Sequence, residues 1–154
     1  ELVPVFQKWL QSNHYNRTRE KQYKTLKRRI VVEKLLCCQN GKIPNDYKFN
    51  CFDGKVEFIY VSHDRTGRNT RSILDVEWNL LPFTWAKRGK ESSFKNDTPP
   101  KPNNLRDMID IAERLASGFR YVRVDLYNVD GKIYFGELTF HHGAGRDMII
   151  PIKL

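Results

Sequence analysis

The sequence predicts an α+β domain built mainly of antiparallel sheet, and three observations carry that prediction. Asp53-Gly54 and Asn128-Val129-Asp130-Gly131 are hairpin turn signals, each flanked by runs rich in aromatic and β-branched residues. One stripe of helical period, Leu105, Met108, Ile109, Ala112 and Leu115, precedes the second hairpin. No internal repeat or low-complexity tract interrupts the pattern, and strands cluster instead of alternating with helices.

Each element follows in order. Leu2, Val5, Phe6, Trp9 and Leu10 recur at three- and four-residue intervals, and Pro4 suits a first turn, so a short helix is expected from Glu1 to Asn13. A basic loop comes next. Arg29 to Leu36 is β-branched and apolar, which predicts a buried strand. Asn40 to Asp46 holds Gly, Pro, Asn and Asp and predicts a loop. Tyr47–Phe52 and Lys55–Ser62 form the first hairpin, and Thr70–Val76 adds a strand. Trp85 to Lys101 shows no period and is expected to be an exposed connection. Asn103-Asn104 caps the one packed helix, Gly118 stops it, and Tyr121–Tyr127 with Lys132–Thr139 make the final hairpin.

A chain of 154 residues is the size of one domain, and 40% bulky apolar content supplies a core despite a mean hydropathy of −0.63. Disorder is excluded. No apolar run approaches the ~20 residues of a membrane-spanning helix, and no secretory leader pattern opens the chain. Because it begins with Glu1, a processed or excised piece of a longer protein is expected. Cys37, Cys38 and Cys51 are odd in number and lack CxxC spacing, which predicts reduced, packed thiols and a cytoplasmic location.

The net charge is +9, and two thirds of it lies in Tyr15–Ile30, where seven basic residues, Arg17 to Arg29, oppose Glu20 alone. Such a field attracts nucleic acid, anionic glycan, lipid or nucleotide phosphate without choosing among them.

Chemistry concentrates in the final hairpin. Alternation puts Arg123, Asp125 and Tyr127 on one strand face, and Glu137 and Thr139 on a shared face of the returning strand. Asp125 then lies roughly opposite or diagonal to Glu137. Two convergent carboxylates suit a magnesium ion serving a nucleotide, and Arg123 beside them suits a phosphate. The plain alternative is a set of surface charges paired among themselves.

In order along the chain, Arg19-Glu20 with Tyr23-Lys24, Glu33-Lys34-Leu35-Leu36, Asp46-Tyr47-Lys48-Phe49 with Gly54-Lys55, Asp64-Arg65, Arg123-Val124-Asp125, Gly136-Glu137 and Thr139-Phe140 before a Gly-Ala-Gly loop resemble the TupA-like branch of the ATP-grasp enzymes, from about Lys8 to Asp147. The resemblance implies a single domain, 1–154, equivalent to the C-terminal portion of an ATP-grasp fold. The N-terminal half, whose lysine strand and glycine-rich flap cover the phosphates, is not matched, so the chain alone is expected to be inactive.

By resemblance the cofactors are ATP and Mg²⁺. Glu33 takes the adenine amino group, the Lys34 and Leu36 backbone reads the adenine edge, and Asp46 bonds the ribose. Asp125 and Glu137 hold magnesium, while Arg123 acts catalytically on the phosphates or the transferred group. Removing either carboxylate charge is expected to harm chemistry more than folding. Thr139 stands where many ATP-grasp enzymes carry an asparagine ligand.

The implied reaction is amide ligation through an acyl phosphate, in cell-surface polysaccharide or teichuronopeptide biosynthesis. Arg65, Arg71, His141 and His142 are candidates for an anionic small-molecule or glycan substrate, and Gly143-Ala144-Gly145 could offer backbone N–H groups to an anion. His141-His142 lacks the partners of a zinc site. The competing class is a polyanion or nucleic-acid binding module, in which Lys48-Phe49 and Phe58–Tyr60 stack bases; its affinity would fall steeply with salt. No specific nucleic-acid recognition motif is present.

Overall fold

Asp53 and Gly54 both take positive φ, 46° and 80°, the geometry that turns a strand back on itself in two residues. They join β1 (Asp46–Phe52) to β2 (Lys55–His63). The structure, a computed structural model, describes residues 2–63, 70–86 and 98–151. Strand β3 (Thr70–Leu74) pairs with β2, and β4 (Phe83–Ala86) follows it. Beyond the packed helix lie β5 (Tyr121–Val129), β6 (Lys132–Thr139) and a short β7 (Met148–Pro151).

The main sheet is antiparallel, five-stranded and ordered β3-β2-β1-β5-β6. A small second sheet pairs β4 with β7. Neither strand of it is expected from the sequence, since both are short and their pairing is remote in the chain. The expected connection from Trp85 to Lys101 therefore begins inside β4, and residues 87–97 lie outside the described residues.

Alternation sorts the sheet into two faces. Tyr47, Phe49 and Cys51 of β1 and Val122, Val124 and Leu126 of β5 are buried together with Ile59, Val61 and Leu74. The packed helix (Leu105–Ala116) closes this face with Leu105, Met108, Ile109, Ala112 and Ala116. Each large side chain so buried contributes ~1.5–3 kcal/mol relative to exposure. Leu115, expected in the stripe, is exposed, and Ala116 takes its place. Asn104 does not cap the helix through its side chain. It donates instead to the Gly131 carbonyl (2.8 Å) and accepts from Asn128 Nδ2 (2.6 Å), tying the helix start to the β5–β6 turn.

β6 carries a bulge. Asp125 pairs with Glu137 and Leu126 with Phe135, leaving Gly136 as the extra residue. A Cβ there would lie 3.0 Å from the Asp125 carbonyl oxygen and 3.1 Å from the Tyr127 ring, so only glycine fits without displacement.

The N-terminal region departs from expectation. Helix Val3–Gln11 forms, with Pro4 in its first turn, but none of its residues is buried. The basic segment is not wholly loop, since His14–Thr18 is a short helix and Lys21–Tyr23 a 3-10 turn. Residues 29–36, expected as a buried strand, form none, and Val31, Val32 and Leu35 are 78%, 84% and 69% exposed. β-branched side chains favour extended backbone, yet a strand exists only where a neighbour accepts its hydrogen bonds. Of the cysteines Cys51 is buried, but Cys37 is exposed and the vicinal pair is not packed as expected. Among the described residues no helix is long and apolar enough to cross a membrane.

Candidate functional site

The sheet face away from the packed helix is charged. The register places Lys48 of β1 opposite Asp125 of β5, and Asp125 opposite Glu137 of β6, so these three residues form one row across three strands. Asn50, Arg123 and Thr139 form the next row.

Asp125 is the hub. Only 2% of its side chain is exposed, and it holds two cations: Lys48 Nζ at 2.5 Å from Oδ2, and Arg123 through Nε to Oδ1 (2.7 Å) and Nη2 to Oδ2 (2.8 Å). Lys48 also reaches Asp46 Oδ2 at 2.6 Å. Arg123 Nη2 donates further to Glu137 Oε1 at 3.2 Å and Thr139 Oγ1 at 3.0 Å. Burial opposes the Arg123 charge, but the hydrogen bond and charge of Asp125 outweigh it and its pKa is raised. Three carboxylates against two cations leave this network one negative charge in excess, an environment that accepts a further cation.

A cavity of about 390 Å³ opens over this network. Glu33, Lys34, Leu36, Asp46, Asp125 and Glu137, the six residues expected around nucleotide and metal, all line it. The structure therefore brings Glu33–Leu36 to the charged face even though the segment pairs with no strand and only Leu36 of it is half-buried. Asp46 Oδ1 is buried and lacks a hydrogen-bond partner, and a buried acceptor of this kind is ordinarily satisfied. The donor set fits a magnesium-nucleotide: two facing carboxylates, cations beside them, and an acceptor awaiting a hydroxyl.

The two carboxylates, from which charge removal is expected to harm chemistry more than folding, differ in their surroundings. Asp125 is buried and anchors two cations, whereas Glu137 is 65% exposed and holds Arg123 alone.

Lys48, Tyr127, Tyr134 and Phe135 also line the cavity and were not singled out as site residues from the sequence. The signal was present for Lys48, because alternation along β1 puts Asp46, Lys48 and Asn50 on one face and Tyr47, Phe49 and Cys51 on the other.

The remaining candidates are dispersed. Arg71 lines a second cavity on the same face, and Arg65 lies outside the described residues. His141 Nδ1 is 3.2 Å from Gln22 Nε2, at the junction with the basic segment. His142 lies 3.6 Å from Asp147; burial pushes its pKa down, partly offset by the Asp147 charge. The Ala144 and Arg146 N–H groups close turns onto the His141 and Gly143 carbonyls, so the Gly-Ala-Gly run does not offer these donors to an anion. Among the described residues no group of three or more His, Cys, Asp and Glu side chains forms a metal cluster. In the basic segment Arg28 is committed structurally, donating to the Leu10 and Gln11 carbonyls at 3.0 and 3.3 Å.

An open cavity of about 860 Å³ lies elsewhere, between the first hairpin turn and the C-terminal end of the packed helix, where Lys55 and Glu113 pair at 3.0 Å. Asp110, also in its wall, pairs with Arg106 at 3.0 Å.

An α+β fold whose antiparallel sheet buries one face under a helix and gathers carboxylates and cations on the other is that of an ATP-grasp portion. The chain belongs to the TupA-like ATPgrasp family, whose model matches residues 4–154. No match was found among curated proteins or among solved structures.

Proposed function

We infer that the 390 Å³ cavity is a magnesium-ATP site and that the protein is an ATP-dependent carboxylate-amine ligase of cell-surface polysaccharide biosynthesis, acting in the cytoplasm. The observation that carries this reading is the meeting in one cavity of all six residues that the family resemblance assigns to nucleotide and metal.

Glu33 and the Lys34–Leu36 backbone offer an acceptor and edge-reading groups to adenine, and Tyr127 and Tyr134 add aromatic wall. Asp46 Oδ1 accepts a ribose hydroxyl, which satisfies an otherwise orphaned oxygen. Asp125 and Glu137 would hold magnesium, which when bound neutralises charge on phosphate oxygens. Lys48 and Arg123, which now neutralise Asp125, are placed to exchange it for phosphate oxygens.

In the reaction a substrate carboxylate oxygen bonds to the γ-phosphorus as the bond to the bridging oxygen breaks, its electron pair leaving with ADP. An amine then displaces phosphate from the acyl phosphate and gives up a proton as the amide forms. Such chemistry needs positioning and charge stabilisation, and no covalent nucleophile from the chain.

Calorimetric titration with Mg·AMPPNP and Mg·GMPPNP tests the reading. Binding should require magnesium and favour adenine, and Glu137→Gln should weaken it about tenfold, the ~1.4 kcal/mol of one charge-assisted contact. Glu33→Ala should cost about 0.5–1.5 kcal/mol, the value of an ordinary hydrogen bond, because Glu33 is exposed. Nucleotide affinity indifferent to magnesium and to base, together with tight salt-sensitive binding of single-stranded nucleic acid, would replace this reading with the polyanion one.

A further inference from the structure

A second cavity, about 250 Å³, adjoins the nucleotide cavity on the same sheet face, and Lys48 lines both. Asn50, Tyr60, Arg71, Arg123 and Asp147 complete most of its wall.

Its cations differ in state. Lys48 and Arg123 are held by Asp125. Arg71 has no ion pair among the described residues, and its Nε is buried without an acceptor. A buried donor in this condition is normally satisfied by something, and the Nε edge of a guanidinium matches the two oxygens of a carboxylate.

Asn50 is not available in its place, because its amide donates to the Lys48 carbonyl (3.1 Å) and accepts from Tyr121 Oη (3.0 Å). The other wall is negative. Asp147 packs onto Gly143 so closely that a Cβ there would lie 2.2 Å from the carboxylate, and the absence of that carbon lets Asp147 face the cavity. The one unpaired guanidinium edge can hold a single carboxylate, and Asp147 on the opposite wall repels any further negative charge, which disfavours a phosphate dianion. Its volume lies below the ~300–1,000 Å³ of drug-sized ligand sites, so it takes a small acid or the acid-bearing end of a longer chain.

We propose that this second cavity is the acceptor subsite, in which Arg71 grips the carboxylate of the substrate while Lys48 and Arg123 mark its border with the nucleotide. The assignment to an acceptor rests on the ligase reading above; the anion site itself does not.

The test is amide-resolved NMR on the ¹⁵N-labelled chain titrated separately with sodium butyrate, n-butanol, sodium phosphate and Mg·AMPPNP. Butyrate should saturably shift the Asn50, Arg71 and Gly143 signals, while butanol should not and phosphate should not compete. Arg71→Gln should raise the butyrate Kd at least tenfold, and Arg71→Lys, which keeps the charge and loses the fork, about threefold. Absence of butyrate shifts, survival of full affinity in a folded Arg71 variant, or competition by phosphate would each overturn the proposal. Mg·AMPPNP shifts at Tyr134 and Gly136 without butyrate shifts leave the nucleotide reading standing and sink the subsite. Butyrate shifts without nucleotide shifts do the reverse: the anion site stands and the ligase reading falls.

Discussion

Val32 and Phe49 are both apolar residues in stretches that favour extended backbone, yet Val32 is 84% exposed and Phe49 fully buried. The same contrast divides the molecule. Between residues 2 and 36, Leu2, Val3, Trp9, Leu10, Leu26, Val31 and Leu35 all remain open to solvent. In the five-stranded sheet, residues of no greater apolarity are sealed beneath the packed helix. Apolar content proposes burial; a facing surface of matching period achieves it. β1 and β5 alternate in phase, and the helical stripe supplies the complementary layer.

Truncation should separate the two regions most strongly. Phe49→Ala should lower stability by about 3–5 kcal/mol through lost transfer energy and a cavity, read by urea unfolding. A comparable loss, again about 3–5 kcal/mol, is expected for Asp125→Ala, which strands Lys48 and Arg123, whose side chains are only 17% and 16% exposed. Glu137→Gln should unfold at nearly the parent midpoint, and a large drop there would break the division between a structural and a functional carboxylate.

Gly136→Ala comes next, at about 1–3 kcal/mol, because the added carbon crowds the Asp125 carbonyl and the Tyr127 ring. A smaller effect comes from His142. Burial holds its pKa below 6.5, so the folded state prefers the neutral ring. Stability is then complete above the unfolded pKa and is lost as pH falls through the lowered folded value. Melting temperatures of the parent and His142→Gln should converge on acidification from about pH 7 to about pH 5, since the variant lacks that proton uptake. The least effect belongs to Val32→Ala, within about 0.5 kcal/mol; a loss of several times that would show that the exposed region is packed after all.

Much of the architecture was legible because its signals are local. Asp53-Gly54 and Asp130-Gly131 specify their turns through two adjacent residues, and the stripe from Leu105 to Ala112 needs only helical spacing. The second turn brings Asp125 within one residue of Glu137, and the bulge at Gly136, which no local signal announces, sets the two directly opposite. What escaped is non-local. Lys48 meets Asp125 across 77 positions, and β4 finds β7 from the far end of the chain. The 29–36 segment failed for the opposite reason: its local preference is clear, and no neighbouring strand in the described structure answers it.

The bulge at Gly136 changes the counting rule of β6. Ile133 packs against the core and Glu137 faces the charge network, although both are odd-numbered and an uninterrupted strand would send them to the same side. One unpaired glycine inverts parity midway, so Ile133 before it and Leu138 after it both reach the apolar layer, while Tyr134 and Glu137 both reach the charged face. Were Gly136 drawn into the ladder instead, it would take the place opposite Asp125, Glu137 would fall opposite Val124 with its carboxylate under the helix, and Leu138 would turn toward Arg123.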